Sequence, residues 1–482
     1  MRIGGHRITI EAPRPSRQRR DGTRSGRKND MRDHKMTQEK KWADLSEEQR
    51  REERFDRWLS PPGVKFSSPE AEKGYQARVT RFIQVIKLEE PDRVPVILPT
   101  GFFPAYYAGG TLKTIMYDYD ELRRAWLKFI NDFELDAFDG PGLIYPAKML
   151  ESIEYKLHYW PGHGLADDTS SYQYIEGEYM KPEEYDGLIR DPADFMLRTF
   201  LPRSVGALTG FRKLDPITPF IGRPSLFVTQ FGDPEVRAAV QALLDAGLEG
   251  KKWQAAVRDI SREVQSAGIP SIRGPMCLAP YDLIGDMLRG TKGIMIDMYQ
   301  RPDKLQEAME RMTPIIIDGV VGKANALRCP VVFIPLHKGA GAFMSNKQFE
   351  TFYWPGLKKV MMGLIEEGLV PMPFAEGDYM PRLEIIKDMP SARVIWWFEQ
   401  MDMAKAKKVL GDKACIAGNL PVSILCTGTP EQVKEGCRRL IETCAPGGGY
   451  ILTGSASMNE GNPDNLRAMT EAAMEYGKYK SG

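Results

Sequence analysis

The chain has 482 residues, of which 42% are hydrophobic and 27% are charged. These proportions exclude collagen-like, disulfide-scaffold and wholly disordered proteins, and no apolar run approaches the length of about 18 residues that a membrane helix needs. The 66 basic and 65 acidic residues give a net charge of +1, so composition offers no reason to expect a nucleic-acid partner.

The amino-terminal segment is the basic part of an otherwise balanced chain. Residues 1–35 contain eleven Lys or Arg and four Asp or Glu, without apolar periodicity. We therefore expect residues 1–36 to form a disordered basic extension, with a transit peptide or a nucleic-acid arm as the alternatives. Residues 37–90 are predicted to form N-terminal helices, one ending at Pro61-Pro62-Gly63 and one near 69–88. Residues 91–482 form the main predicted domain.

Eight short β-rich runs recur along this domain, each ending in glycine, proline or polar residues. They lie at 94–101, 135–142, 269–276, 329–339, 369–378, 392–402, 414–421 and 449–457. Helix-like sequence separates most of them, and strands that alternate with helices form parallel βαβ units. Eight units predict an α/β protein with a (β/α)8 TIM barrel. An open doubly wound sheet is the alternative, although no glycine-rich dinucleotide motif follows the first run.

The interval between the second and third runs is much longer than the others. Aromatic residues alternate with polar ones in EYKLHYWPGHG and in SYQYIEGEYMK. We predict an insertion at about 145–268 that adds a β-hairpin and helices over the mouth of the barrel, because long loops are commonly functional covers. His158 and His163 in this insertion are predicted to cap turns.

The active site of such a barrel lies at the carboxyl ends of its strands. Polar side chains at the predicted strand ends are Asp139, Arg273, His337, Lys338, Glu376, Asp378, Glu399, Gln400, Asp402, Asn419, Ser455, Ser457 and Asn459. For each of them the alternative role is a hydrogen bond that holds a loop.

His337, Glu376, Asp378 and Asp139 are the predicted catalytic residues. The first three also form a candidate zinc site, because neutral imidazole and carboxylate oxygens both suit Zn²⁺. A metal-free hydrogen-bond network of the same residues is the alternative.

The predicted substrate anchors are Arg273, Lys338 and Asn419. Arg273 has the side chain that clamps a carboxylate or phosphate with two hydrogen bonds. The loop TGFFPAYY, with Phe102, Phe103 and Tyr106, is predicted to shape an apolar pocket.

The chain resembles the uroporphyrinogen decarboxylase superfamily, which includes corrinoid-dependent methyltransferases. The resemblance rests on five segments: PYDLIGDMLRGTKGIMIDMYQRPDKL, PLHKGAGAFMSNKQFETFYWPGLKKVM, FAEGDYMPRLEII, IAGNLPVSILCTGTPEQVKEGCRRLIE and GGGYILTGSASMNEGNPDNLRAM. With DRVPVILPTGF at the start, it extends over roughly residues 75–480 and implies a (β/α)8 barrel.

The two branches of this superfamily imply different residues at the mouth. The decarboxylases carry an R-Q-A-G-R loop after the first strand and a G-H-G turn after the last, where this chain has TGFFPAYYAGG and TGSAS. The methyltransferases bind zinc through H-x-C and a later cysteine. Those positions are Phe374, Glu376 and residues 454–457 here, so the thiolate ligands are absent.

The preferred interpretation is a methyltransferase-like enzyme that moves a methyl group between a small substrate and a corrinoid on a partner protein. The second is a decarboxylase of a porphyrinogen or simpler carboxylate, in which Arg273 holds a carboxylate and Asp139 stabilises positive charge. The third is a catalytically silent barrel that binds a tetrapyrrole. Six dispersed cysteines without C-x-x-C spacing favour a reducing cytoplasm. The resemblance also implies a possible homodimer; no membrane partner is expected.

Overall fold

The computed structural model describes residues 42–141, 144–217 and 224–479. The chain divides into two units, Met1–Asp44 and Leu45–Gly482. The first unit is described only over one 3-10 turn, Trp42–Asp44. The predicted basic extension therefore lies outside the described residues. Within the described ranges, no helix is both long and apolar enough to cross a membrane.

The strands of the second unit form two separate sheets. They are His158–Pro161 (β1), Gly164–Leu165 (β2), Gln173–Tyr174 (β3), Val331–Leu336 (β4), Val370–Asp378 (β5), Ile395–Gln400 (β6), Cys415–Ala417 (β7) and Tyr450–Ile451 (β8). β4 to β8 pair in chain order and are parallel throughout. β1 lies between β2 and β3 in the smaller sheet and is antiparallel to β3.

Helices occupy most of the remaining described sequence. The α-helices are Glu47–Leu59, Pro69–Ile86, Phe103–Tyr107, Leu112–Tyr117, Tyr119–Asp132, Ala147–Ser152, Tyr185–Arg190, Pro192–Phe195, Leu201–Ser204, Pro224–Thr229, Pro234–Ser266, Pro280–Ile284, Gly290–Gln300, Pro302–Leu327, Asn346–Gln348, Trp354–Glu366, Leu383–Ile386, Met403–Leu410, Val422–Thr427, Pro430–Cys444 and Pro463–Tyr476. Three π-helical turns, Met196–Phe200, Gly285–Arg289 and Phe349–Tyr353, join neighbouring helices. Short 3-10 helices lie at Pro182–Glu184, Gly206–Lys213, Gln230–Gly232 and Met380–Arg382.

The last five predicted runs are the strands β4 to β8, whereas the first three pair only through isolated bridges. Val96 pairs with Leu452, Phe138 with Ser271, and Met276 with Phe333, all in parallel orientation. The eight runs are thus linked side by side in the order first, eighth, seventh, sixth, fifth, fourth, third and second. The fold is α/β with a parallel sheet.

Prolines in the first and third runs take part in these pairings as hydrogen-bond acceptors. Pro95, Pro270 and Pro275 lie within these runs, and proline has no backbone N–H for a sheet ladder. Their carbonyls still accept: Leu452 donates to Pro95 at 3.0 Å, Phe138 to Pro270 at 2.8 Å, and Phe333 to Pro275 at 3.0 Å.

A buried ion cluster joins the first and second runs. The carboxylate of Asp136, 2% exposed, accepts from the backbone N–H of Val96 at 2.9 Å. It also accepts from the guanidinium groups of Arg93, at 2.6 Å, and Arg81, at 2.8 Å. A side chain therefore bridges the two runs.

One face of each run contributes to a single apolar cluster inside the sheet. Its members from the eight runs include Ile97, Ala137, Ile272, Val331, Val370, Ile395, Cys415 and Ile451. Phe55 and Trp58 of the first N-terminal helix, with Val79 and Phe82 of the second, belong to the same cluster. The other face of the sheet packs on the outer helices in a larger cluster. The alternation of a strand assigns each side chain to one of the two clusters.

Between the second and third runs, the described residues contain β1 to β3 and several helices. The antiparallel pairing of β1 with β3 corresponds to the predicted hairpin, and the longest helix of this stretch is Pro234–Ser266. The limits of the insertion and of the domains remain predictions.

Candidate functional site

A cavity of about 520 Å³ lies at the carboxyl ends of the parallel strands. This volume falls within the range of about 300–1,000 Å³ that is usual for small-molecule sites. The residues that line it are Tyr145, His158, Tyr172, Tyr174, Glu176, Arg273, Met276, Leu278, Asp286, Met287, Phe333, Pro335, His337, Lys338, Phe374, Glu376, Trp397 and Ser457. Four of the predicted site residues, Arg273, His337, Lys338 and Glu376, therefore meet in one cavity.

His337 is held in this cavity by a carboxylate that the sequence analysis did not single out. His337 and Lys338 directly follow β4, and Asp286 lies in the π-helical turn Gly285–Arg289. The Asp286 carboxylate lies 2.6 Å from His337 Nδ1 and 2.8 Å from Lys338 Nζ. The remaining ring nitrogen, Nε2, lies 3.9 Å from Glu376 Oε1.

The pair of Asp286 and His337 shifts the pKa of both groups towards the charged forms. Burial would lower the pKa of His337, but the hydrogen bond and the negative charge of Asp286 outweigh it and raise the pKa to about 9. Burial would likewise raise the pKa of Asp286, yet the partners His337 and Lys338 hold it below its ordinary value. His337 is therefore an imidazolium at neutral pH.

A second aspartate fixes the backbone beneath the pair. Asp282 precedes Asp286 by four residues, which places the two side chains on one helical face. Its carboxylate accepts from the backbone N–H groups of His337, at 3.1 Å, and Lys338, at 3.0 Å, and from the Tyr353 hydroxyl. Burial, reinforced by the charge of Asp286, raises the pKa of Asp282 to about 7. Asp282 thus positions the strand end that carries His337.

A β-bulge separates the two predicted carboxylates of β5. The register of β5 against β6 shifts between Ala375 and Asp378, and Gly377 has a φ of 79°. Such a bulge redirects the side chains that follow it. Glu376 lines the cavity, where burial raises its pKa and His337 opposes that rise. Asp378 is exposed, and its carboxylate accepts from the Met380 N–H at 2.8 Å. Asp378 therefore lies apart from His337 and Glu376, and its catalytic role stays a prediction.

The predicted zinc site is not assembled. Asp378 lies outside the cavity that His337 and Glu376 line. Within residues 42–141, 144–217 and 224–479, no three His, Cys, Asp or Glu side chains are grouped as a metal ion would require. The residues present do not fit the metal that the resemblance implied.

Asp139 and Arg273 form an ion pair between two cavities. Arg273 Nε lies 2.7 Å from Asp139 Oδ1, and the guanidinium carbon lies 4.2 Å from the centroid of the Phe333 ring. Burial raises the pKa of Asp139 to about 6, against the opposing charge of Arg273. Asp139 lines a smaller cavity of about 310 Å³, which shares Arg273 and Met276 with the larger one.

Four predicted substrate contacts lie outside the lining of the large cavity. Asn419 Nδ2 donates to the backbone carbonyls of Glu399, at 3.3 Å, and Met401, at 2.9 Å. Phe103 is buried among Tyr107, Phe129 and Phe133. Phe102 packs against Tyr172, which lines the cavity, and the Tyr106 hydroxyl accepts from the Leu112 N–H. These side chains have partners within the loops and the core, and their direct binding roles stay predictions.

Several other strand-end polar residues also have structural partners. Glu399 accepts from Gly377, Asp402 from Lys405, Ser455 from Val422, and Asn459 from Phe102, in each case from a backbone N–H. Gln400 is exposed beside β5. Ser457 lines the large cavity.

The 145–176 segment contributes residues to the cavity that were not predicted as site residues. Tyr172, Tyr174 and Glu176 alternate with residues that do not line it, which is the periodicity of a strand. The Tyr174 hydroxyl donates to the backbone carbonyl of Asp286, and Tyr145 packs on Tyr172 at 5.0 Å between ring centroids. The alternation in SYQYIEGE was the available signal.

The predicted turn-capping role of His158 is wrong. His158 is a buried member of β1 and lines the cavity. His163 lies outside that lining, with its ring stacked on Trp160 at 4.2 Å.

Comparison with known proteins shows a similarity to one family over the carboxyl-terminal part of the chain. Residues 253–476 match the family model described as uroporphyrinogen decarboxylase (URO-D). This matched part of the chain is similar to the uroporphyrinogen decarboxylase superfamily, and the match supports membership in it. The match includes Arg273, Asp286, His337 and Glu376. It begins after residues 145–176, so it does not include the aromatic residues that this segment contributes to the cavity.

The curated URO-D relatives are distant and only partly covered. The uroporphyrinogen decarboxylase of Actinobacillus succinogenes is 24% identical over 232 residues, which are 46% of this chain and 63% of the relative. That of Aromatoleum aromaticum is 25% identical over 224 residues, 45% of this chain and 59% of the relative. The chain thus spans less than two thirds of the length of these relatives.

A solved structure covers more of this chain. A methyltransferase from Methanosarcina mazei superposes with a TM-score of 0.54 at 17% identity, covering 82% of this chain and 98% of that protein. At this identity the likeness concerns the fold alone.

Proposed function

We propose that this chain is a cytoplasmic methyltransferase that moves a methyl group from a small substrate in the large cavity to a reduced corrinoid on a partner protein. The eight linked runs would close as a (β/α)8 barrel, with the cavity at its catalytic end. The corrinoid would supply the nucleophile. The observation that carries the proposal is the contact of His337 Nδ1 with the Asp286 carboxylate at 2.6 Å inside an aromatic cavity, which favours the imidazolium.

The charged form of His337 determines the direction of the proposed transfer. When the bond between the methyl group and a substrate heteroatom breaks, that heteroatom gains an electron pair and needs a proton. His337 Nε2 is the ring nitrogen that Asp286 leaves unengaged, so it is the proton donor. The methyl group leaves to the corrinoid, the demethylated substrate keeps the proton, and solvent reprotonates His337. A pKa of about 9 keeps this acid charged at neutral pH.

Glu376 and Lys338 have supporting roles in this proposal. Glu376, 3.9 Å from His337 Nε2, faces the position of the heteroatom and keeps positive charge on the imidazole favourable. Lys338 shares the Asp286 carboxylate, which fixes that carboxylate in place. The proposed steps use no metal, because no three donor side chains are grouped for one in the part of the chain that the structure describes.

The test is methyl transfer to free reduced cobalamin, followed by the growth of the methylcobalamin absorption. A panel of O-methylated and N-methylated small molecules serves as donors. We expect His337→Gln to lower the rate at least about a hundredfold, the usual contribution of a positioned general acid. His163→Gln is the matched control, because His163 is stacked on Trp160 outside the cavity. A wild-type rate in His337→Gln would refute the proposed acid.

Decarboxylation is the second candidate function, favoured by the pair of Arg273 and Asp139. Arg273 is positioned to hold a carboxylate, and His337 could protonate the carbon that loses CO₂. However, Arg273 lies 2.7 Å from Asp139 and Lys338 lies 2.8 Å from Asp286, so both cations are already neutralised. A substrate with many carboxylates would have to displace both partners. Release of CO₂ from a carboxylated substrate, without methyl transfer from any donor, would favour this function instead.

A further inference from the structure

His158 lies in an aromatic wall of the large cavity. The ring is part of β1, and its centroid lies 5.1 Å from that of Tyr145 and 5.3 Å from those of Tyr172 and Tyr174. Tyr155 stacks on it at 5.8 Å. The imidazole is thus surrounded by rings whose positions are fixed by the small sheet and by one another.

The hydrogen-bonding capacity of this imidazole is unused within the described chain. His158 is 8% exposed, its Nδ1 has no hydrogen-bond partner, and no other described residue bonds to the ring. Burial lowers its pKa to about 4, so the ring is neutral at physiological pH. Nearly all buried polar atoms in proteins have partners, and an exception calls for an explanation. His158 lines the cavity, so its ring is placed beside any ligand bound there.

The strand side of the same cavity is aromatic as well. Phe333, Phe374 and Trp397 line it, with the centroids of Phe374 and Trp397 4.5 Å apart. A flat ring bound between this surface and the tyrosines would find aromatic partners on both faces. The cationic side chains Arg273 and Lys338 are engaged with carboxylates, which leaves the recognition of a polar substituent to a neutral group.

We infer that the large cavity binds an uncharged aromatic ring with a hydroxyl group, and that His158 is the specificity-determining residue that hydrogen-bonds this hydroxyl. A neutral imidazole has one donor and one acceptor nitrogen, and a hydroxyl can pair with either. The inference names the substrate class of the proposed methyltransferase and rests on that function for the reaction, but not for binding.

The test measures dissociation constants by titration calorimetry for three probes, phenol, toluene and cyclohexanol, without corrinoid. The full chain is compared with His158→Phe, which keeps a ring and removes the nitrogens, and with the matched control His163→Phe. We expect the wild type to prefer phenol over toluene. This preference should fall about five- to tenfold in His158→Phe, the size of one hydrogen bond, and should be unchanged in His163→Phe.

Retained binding of toluene by His158→Phe shows that its cavity is intact. If His158→Phe binds no probe at all, His158→Gln tests the inference instead. Its amide can still hydrogen-bond the hydroxyl, so this variant should keep most of the preference for phenol over toluene.

Two results would overturn the inference. Equal binding of cyclohexanol and phenol by the wild type would show that the cavity does not select a flat ring. An unchanged preference for phenol in His158→Phe would show that His158 does not recognise the hydroxyl. This titration does not depend on methyl transfer. Phenol binding here, together with no transfer from any donor in the cobalamin assay, would refute the proposed function and leave this inference standing.

Discussion

The ion pair of Asp286 and His337 allows a direct test of the proposed acid. Replacing Asp286 with asparagine keeps the size of the side chain and removes its charge. The His337 imidazolium then loses the carboxylate that lies 2.6 Å from its Nδ1, while the burial that opposes its charge remains. We expect the pKa of His337 to fall.

The magnitude follows from the raised pKa. A change from the ordinary value of 6.5 to about 9 corresponds to ~3 kcal/mol in favour of the imidazolium. The His337 side chain is 36% exposed, so solvent screens the pair, and we expect about half of this, ~1.5 kcal/mol. The pKa of His337 should therefore fall by about one pH unit in Asp286→Asn.

Two measurements detect this change. Activity that requires the imidazolium declines as the pH rises through the pKa of His337, near 9 in the wild type and lower in Asp286→Asn. A proton NMR titration of the imidazole gives the same pKa without turnover. Lys338→Met is the control, because it leaves the contact of Asp286 with His337 intact and removes a nearby positive charge. In this control, the decline of activity at alkaline pH should not move to lower pH.

The pH dependence of the stability gives an independent check of the raised pKa of His337. A histidine whose pKa is raised on folding contributes stability that is fully present below its unfolded value of about 6.5. This contribution is lost as the pH rises through about 9. The free energy of unfolding should therefore differ more between wild type and Asp286→Asn at pH 6 than at pH 9.5. Two results together would refute the pairing of Asp286 with His337. In Asp286→Asn, the alkaline decline of activity would stay at its wild-type pH, and the difference in unfolding free energy from wild type would be the same at pH 6 and pH 9.5.

Two further substitutions test the structural roles assigned above. Asp136→Asn removes the buried carboxylate that pairs with Arg81 and Arg93, and should lower the free energy of unfolding in urea titrations by about 3–5 kcal/mol. Asp92 is 65% exposed, so Asp92→Asn should lower it by less than about 1 kcal/mol. Phe103→Ala empties a core position and should lower the free energy of unfolding by about 3–5 kcal/mol without changing phenol binding at 25 °C; weakened binding in a folded variant would place Phe103 in the site after all.

The strand ends were the predictable part of the site. The periodicity of the sequence located the last five runs. Parallel strands present their carboxyl ends at the same edge of a sheet, and this rule predicted that Arg273, His337, Lys338 and Glu376 lie together, as they do in one cavity. The same rule failed for Asp378, because the bulge at Gly377 depends on pairing between β5 and β6. Strand alternation alone places Glu376 and Asp378 on the same face.

The groups outside the strands were not predictable in the same way. Asp286 reaches His337 from a π-helical turn, and such a turn has no simple periodic signal in the sequence. His158 becomes a cavity residue only because β1 packs its ring against tyrosines 13 or more residues away along the chain. A local pattern cannot distinguish that arrangement from a histidine that caps a turn.

The charges of the cavity connect the proposed reaction with the proposed substrate. Arg273 is paired with Asp139 at 2.7 Å, and Lys338 with Asp286 at 2.8 Å. Binding an anionic substrate would require one of these pairs to open, and removing one partner of such a buried pair is unfavourable by several kcal/mol. An uncharged ring requires no such change and leaves Asp286 free to keep His337 protonated. The pairing that disfavours a substrate with many carboxylates is therefore the same pairing that maintains the acid for methyl transfer.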